Sequence, residues 1–295
     1  MRRRLLRTAC KASPGGLPAR PHKEEDHDCR SPRRQAHVTS TDGTKIAVTV
    51  TGQGRPLIVS PGALNAAQDW QILADLLAPH FTTYAIDRRG RGASGDHSEH
   101  TIQQEADDIA AILDLAGPDA ILLGHSYGGL VTLAHALHQL PAAFILYEPP
   151  IPLGGPVGGD AIAPFEEAVQ AGDLDQALTL GLRNFLKFPD EAIEEFRQTP
   201  FWAIRASMTP TWAREMRAMD SFGDDLTRFA TLNIPTLLVI GELSPRWLTD
   251  VSRRLHKALP DARLVEIPGE AHDAFLTGPH ALAEAITAFA ADLPL

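Results

Sequence analysis

The chain has 295 residues, 44% of them hydrophobic, and carries 27 Lys and Arg against 37 Asp and Glu, a formal net charge of −10. This is enough apolar material for a sizeable core, and the length fits one α/β domain with an insertion. The acidity argues against a nucleic-acid partner, whose phosphates need cationic neutralisation. No stretch approaches the ~20 apolar residues of a membrane-crossing helix.

Residues 1–36 differ from the rest. They hold ten Lys and Arg against four acids, which leaves 17 bases and 33 acids, near −16, for the remainder. Met1-Arg2-Arg3-Arg4 opens like a signal peptide, but no apolar run of roughly 7–15 residues follows. The expectation is a disordered basic extension. Both cysteines, Cys10 and Cys29, fall in it, so neither a disulfide framework nor a cysteine metal motif is expected in the fold. A cytoplasmic location is the default reading.

From residue 37 the pattern becomes regular. His37 to Ser40 and Lys45 to Thr51 read as a strand pair joined at Asp42-Gly43, a strong hairpin signal. Pro56 to Ser60 and Phe81 to Asp87 read as strands, separated by a helix over residues 67–78 with Trp70, Leu73, Leu76 and Leu77 on its apolar face. Ile102, Ala106, Ile109 and Leu113 repeat at helical spacing. An apolar run from Ala120 then enters Gly124-His125-Ser126-Tyr127-Gly128, and Leu130, Leu133, Ala134 and Leu137 continue as a helix.

A Gly-x-Ser-x-Gly held between a buried strand and a helix is what a nucleophile elbow requires. The small residues at 124 and 128 relieve crowding of the turn. The helix N-terminus offers the Tyr127 N–H to a developing oxyanion. Ser126 is therefore the candidate nucleophile.

Ala143 to Tyr147 reads as a further strand, closed by Glu148 and Pro149-Pro150. Residues 149–232 then break the alternation: a Pro- and Gly-rich linker leads into helical patterns with an apolar and aromatic content that includes Trp202, Met208, Trp212 and Phe222. This segment is expected to be a helical cap over the active site, separable from a foldable core. Strand signals resume at Thr236 to Ile240, followed by helical spacing at Leu248, Val251, Leu255 and Leu259. A last strand at 262–268 leads into Gly269-Glu270-Ala271-His272, and a helix begins near Pro279. Among the twelve histidines, His272 alone combines the order Ser, acid, His with a preceding strand and a Gly-rich approach. It is the candidate general base.

Over about residues 38–295 the chain resembles the α/β-hydrolase-fold superfamily. Asp87-Arg88-Arg89-Gly90-Arg91-Gly92-Ala93-Ser94 resembles the loop after that family's fourth strand, and Ser60-Pro61-Gly62-Ala63 stands in place of its oxyanion loop. Pro268 to His272 is similar to its catalytic histidine loop. The resemblance implies a mostly parallel central sheet flanked by helices, with core segments 37–148 and 233–295 and the cap at 149–232. It also implies an oxyanion hole from the main-chain N–H groups of Ala63 and Tyr127.

Two positions depart from the family pattern. Pro61 replaces the usual His, which need not abolish a hole built from main-chain donors. Ser244 stands where the family carries its aspartate. Two carboxylates are candidates for the triad acid: Glu148, at the end of an apolar strand where burial demands a partner, and, as the alternative, Glu242 in the turn after the next strand.

The expected function is a serine hydrolase cleaving an ester, lactone or thioester of a small, fairly apolar substrate through an acyl-enzyme, with no cofactor or metal. No obvious cationic clamp for a substrate carboxylate stands out in the sequence; Arg88, Arg183 and Arg205 are the candidates that could serve unseen. The same triad also supports carbon–carbon bond hydrolysis, perhydrolysis or lyase chemistry, and a non-catalytic ligand-binding member of the fold is the remaining reading. The expected partner is a small-molecule substrate, with no nucleic acid and no membrane; oligomeric state is left open.

Overall fold

The computed structural model describes residues 32–294. Eight strands form one sheet: β1 (Arg33–Thr39), β2 (Lys45–Gly52), β3 (Arg55–Ser60), β4 (Phe81–Asp87), β5 (Ile121–His125), β6 (Ala143–Tyr147), β7 (Thr236–Gly241) and β8 (Ala262–Ile267). Their spatial order is β1-β2-β4-β3-β5-β6-β7-β8. The β1–β2 and β2–β4 pairs are antiparallel, and all later neighbours are parallel.

Parallel strands must be covered on both faces, so their residues are apolar without alternation while their destinations alternate. In β5, Ile121 and Leu123 join a core with Leu57, Val59, Ile145 and Val239, whereas Leu122 joins the opposite core with Ile58, Phe144 and Leu238. The first core is closed by α1 (Gln71–Leu77), and by α10 (Ala274–Thr277) and α11 (Pro279–Ala291) near the C-terminus. The second is closed by α2 (Ile102–Ala116), α3 (Tyr127–Ala136) and α9 (Arg246–Ala258). Thr101 caps α2 by accepting from the Gln104 N–H, and Gln104 returns a bond to the Thr101 N–H.

Between β6 and β7 lie five helices: α4 (Ile162–Gln170), α5 (Leu174–Asn184), α6 (Asp190–Arg197), α7 (Phe201–Ala206) and α8 (Thr209–Asp220). Their centre is an aromatic trio in which Trp212 meets Phe165 and Phe185 edge-on, with ring centroids 5.5 and 5.2 Å apart. The trio is continuous with the core beneath α2 and α3. Phe188 and Phe201 stay exposed.

Two boundaries differ from the sequence expectation. β1 begins at Arg33, so 33–36 of the expected 1–36 extension pair with β2, Arg33 opposite Thr51. Residues 1–31 of that extension, with both cysteines, lie outside the described residues. The helix expected over 67–78 is a 3₁₀ turn, Ala67–Trp70, leading into α1. Among the described residues, no helix is long and apolar enough to cross a membrane.

Candidate active site

The parallel strands end level with one another, which gathers their C-terminal loops at one edge, the usual ligand edge of such a sheet. Ser60 lies opposite Gly124, His125 opposite Tyr147, and Tyr147 opposite Val239. Ser126 sits in the turn between β5 and α3 at φ 51°, ψ −125°. A non-glycine residue held there costs about 1–3 kcal/mol and persists only when its surroundings over-determine it. Those surroundings are tight: a Cβ on Gly128 would lie 2.1 Å from the Ser60 oxygen, and one on Gly124 would lie 2.3 Å from Thr132 Oγ1. The Ser126 N–H donates to Tyr147 O at 2.9 Å. Ser126 itself is half-buried.

Glu148 directly follows β6 and also has a positive φ, 47°. Its carboxylate is fully buried and both oxygens are engaged. Oε1 accepts the Gly241 N–H at 2.8 Å, and Oε2 accepts from His272 Nδ1 at 2.5 Å. A buried carboxylate without such donors would be strongly unfavourable. Glu242, the alternative acid, is exposed, and its Oε2 accepts the Gly269 N–H at 2.7 Å. Glu242 thus ties the approach to the histidine loop, and it is Glu148 that accepts the hydrogen bond of His272.

The His272 loop is fastened from below as well. Tyr147 O–H donates to Ala271 O and accepts from the Ala274 N–H. His125 Nε2 donates to the His272 carbonyl at 2.9 Å, and the two rings lie 4.5 Å apart. Burial and the neighbouring His272 charge push the His125 pKa well down, so His125 is a neutral anchor. Burial also works against charge on His272, but the hydrogen bond and negative charge of Glu148 outweigh it and raise its pKa.

Ala63 belongs to the loop after β3. A Cβ on the preceding Gly62 would lie 2.9 Å from Ser126 Cβ and from His125 Nδ1, so this loop lies directly on the elbow. Tyr127 is the first residue of α3, where N–H groups have no intrahelical partner. The structure therefore brings Ser126, Tyr127, Gly62-Ala63, Glu148 and His272 to one edge.

A buried ion cluster adjoins this edge. Glu215 of α8, with no exposed surface, accepts from Arg88 and from Arg91, each at 2.6 Å. Arg88 also donates to Glu105 at 2.7 Å, and Glu105 pairs with His100 at 2.8 Å. His100, Glu105 and Glu215 place ligand atoms within 4.8 Å of one another. Both carboxylates are already held by arginine, so the chemistry of this donor set is that of an ion network rather than a cation site.

Glu215 and His100 were not singled out in the sequence. The available signal for Glu215 is its place in α8 three residues after Trp212 and four before Met219, on an otherwise apolar face. The three candidate clamp cations are also committed: Arg88 as above, Arg183 to Asp190, and Arg205 bidentate to Asp69 at 2.7 and 2.8 Å. A separate groove of about 420 Å³ runs between residues 151–157 and α9; neither Ser126 nor His272 lines it.

Residues 57–285 match the model of the Alpha/beta hydrolase family. An alpha/beta hydrolase from Sphaerobacter thermophilus is 32% identical, with a TM-score of 0.77 over 85% of this chain and 100% of that one. An esterase from Rhodococcus sp. ECU1013 is 27% identical, with a TM-score of 0.69 over 88% of this chain and 99% of its own. N-formylmaleamate deformylase of Pseudomonas putida is 35% identical over 105 residues, which span 34% of this chain and 39% of that protein.

Proposed function

The chain belongs to the alpha/beta hydrolase family, and on that premise we propose that it is a serine hydrolase that cleaves an ester, lactone or thioester of a small, fairly apolar substrate through an acyl-enzyme. The observation that carries this reading is the Glu148–His272 hydrogen bond beside a strained serine elbow.

With Nδ1–H given to Glu148, the neutral ring of His272 keeps its lone pair on Nε2. In the proposed reaction Ser126 Oγ attacks the substrate carbonyl carbon while Nε2 takes the hydroxyl proton. Glu148 stabilises the resulting imidazolium. The carbonyl oxygen becomes an oxyanion facing the N–H groups of Ala63 and Tyr127. Collapse expels the alcohol or thiol, which receives its proton from His272. Water, deprotonated by the same nitrogen, then cleaves the Ser126 acyl bond and regenerates the hydroxyl. Protein groups alone carry these steps.

An uncharged substrate is favoured because Arg88 and Arg205 are buried and already paired with carboxylates. The similarity to N-formylmaleamate deformylase supports a second reading, hydrolysis of a formamide-type C–N bond by the same acyl-enzyme route. A panel of p-nitrophenyl esters, thioesters and N-formyl amides, run on wild type and Ser126→Ala with fluorophosphonate labelling, tests both. Labelling lost in the variant, with ester turnover ahead of amide turnover, is the expected result. Equal hydrolysis by Ser126→Ala would overturn the proposal, and amide turnover ahead of ester would select the second reading.

A further inference from the structure

The cluster around Glu215 converges on one peptide unit. Arg88 and Arg91 both donate to the Gly62 carbonyl, at 3.2 and 3.1 Å, and Arg91 Nη1 also donates to Asn65 O at 3.1 Å. These contacts grip the turn 62–65 at both ends. Leu64, inside that turn, has φ 57° without being glycine, a left-handed conformation unfavourable for a residue with a Cβ. The two guanidinium groups are fixed in turn by the single oxygen Glu215 Oε1, delivered by the cap helix α8. Thr211, one turn earlier on α8, accepts from Arg91 Nε at 3.1 Å.

The Gly62 carbonyl and the Ala63 N–H are the two ends of one trans peptide and point in opposite directions. Holding the oxygen therefore fixes the direction of the N–H on the opposite side of the same peptide, in a loop that lies on Ser126. Two charged donors on that oxygen also polarise the amide and strengthen its N–H as a donor. Arg88 further lies over the Tyr127 ring, 4.8 Å from its centroid, so it meets both the Gly62–Ala63 peptide, through the Gly62 oxygen, and Tyr127.

We propose that Glu215, acting through Arg88 and Arg91, is a positioning residue that holds the Gly62–Ala63 peptide as an oxyanion donor and makes the hole depend on the seated cap. This rests on the acyl-enzyme reading above. Burial works against the charge on Arg91, and the negative charge of Glu215 opposes that effect.

The test compares wild type, Glu215→Gln, Arg91→Lys and Arg214→Gln. The readouts are kcat and KM on p-nitrophenyl butyrate and the inhibition constant of an alkyl trifluoromethyl ketone, whose serine adduct carries an oxyanion. Removing an oxyanion donor costs about 10²–10³ in kcat, so misaiming one should cost roughly 10- to 100-fold. Glu215→Gln is expected to lose that factor in kcat and to weaken the ketone in parallel. KM should stay within about threefold, and the acid limb of the pH profile, set by His272 and Glu148, should not move. Arg214→Gln, which removes the α8 ties to Asp96 and to the His97 carbonyl but none to Gly62, Arg88 or Arg91, should stay near wild type.

A folded Glu215→Gln enzyme with unchanged kcat and ketone affinity, or with a rise in KM alone, would overturn the proposal. If Glu215→Gln does not fold, Arg91→Lys decides by the same two readouts, since an ammonium cannot reproduce the planar fork that reaches Gly62, Asn65 and Glu215 together. Failure of the underlying reading is distinct: the wild type itself would resist the ketone, and Ser126→Ala would still turn over ester.

Discussion

Glu148 and His272 meet across 124 positions of sequence, through a 2.5 Å hydrogen bond between Oε2 and Nδ1. The proposed acid stands one strand earlier than the position occupied by Ser244, and the longer side chain of glutamate reaches His272 from there. The other oxygen of Glu148 is held by Gly241, on the strand where the family's acid would be carried. The carboxylate thus reaches the histidine from β6 while its orientation is fixed by β7.

Glu148→Gln should lower kcat by roughly 10²–10⁴ with little change in KM, as expected when a triad acid becomes an amide and the imidazolium loses its counter-charge. Glu242→Gln should cost less than about tenfold, because that side chain bonds only the Gly269 N–H. Steady-state kinetics on both purified variants, with circular dichroism to verify folding, decides. The reverse ranking would move the acid to Glu242.

The pH dependence follows from the two neighbouring histidines. In the proposed mechanism His272 must be neutral to take the Ser126 proton, and Glu148 raises its pKa above the ordinary 6.5. The acid limb of kcat/KM should therefore have its midpoint above 6.5, and Glu148→Gln should move it to lower pH. The stability effects have opposite signs. The His272 contribution is fully present below its unfolded pKa and is lost as pH rises through its folded value. The His125 pKa is depressed, so its contribution is present above 6.5 and is lost as pH falls toward its folded value. Melting curves of wild type and His125→Asn between about pH 7 and 5 should show a shallower acid-side loss in the variant.

How far the sequence exposes this site depends on whether each signal is local. Ser126 and His272 announce themselves through the residues on either side, a strand before and a helix or Gly-rich loop around. Glu148 is readable for a physical reason, a carboxylate ending an apolar strand. Glu215 is not, because its meaning lies in Arg88, 127 positions away, and its place on an apolar face of α8 marks it as unusual without naming a partner. The start of β1 is hidden differently: it is an edge strand with mostly exposed residues, so Arg33 and Arg34 carry no hydrophobic alternation. The main-chain donors Ala63 and Tyr127 leave no side-chain signature, and only the resemblance to the family marked Ala63.

The cap reads in sequence as a separable lid, and the ion cluster argues against that. Deleting residues 153–230 removes Glu215 and leaves Arg88 and Arg91, both buried, without it. Breaking a buried pair by removing one partner costs about 3–5 kcal/mol, a large share of a typical total of roughly 5–15. The capless chain is expected to be unfolded or aggregated by circular dichroism and gel filtration. A folded capless core would show the cluster to be dispensable for the fold.

Gly128→Ala should be among the most damaging small substitutions. The added methyl would lie 2.1 Å from Ser60 O and 2.5 Å from Pro61 O, both backbone atoms that cannot swing away. Overpacking of this kind costs about 1–3 kcal/mol and more where nothing can yield. Gly154→Ala, with nothing within 4 Å of its added carbon, should stay within about 0.5 kcal/mol. Urea denaturation of the two variants makes the comparison.

Ser126 and His272 should behave as one unit rather than as two contributors. In the proposed acylation the proton leaves Oγ in the same step in which His272 receives it, so removing either group removes that step. Each alanine variant alone should lower kcat by on the order of 10³–10⁶. The double variant should be little worse than either single one, because what survives comes from substrate binding and the Ala63 and Tyr127 donors, which neither substitution touches. If the groups acted in separate steps, the losses would multiply and the double variant would fall by the product. Kinetics on Ser126→Ala, His272→Ala and the pair, at the pH optimum of the wild type, measures the difference. Multiplicative losses would separate the two residues and remove the basis for a shared acylation step.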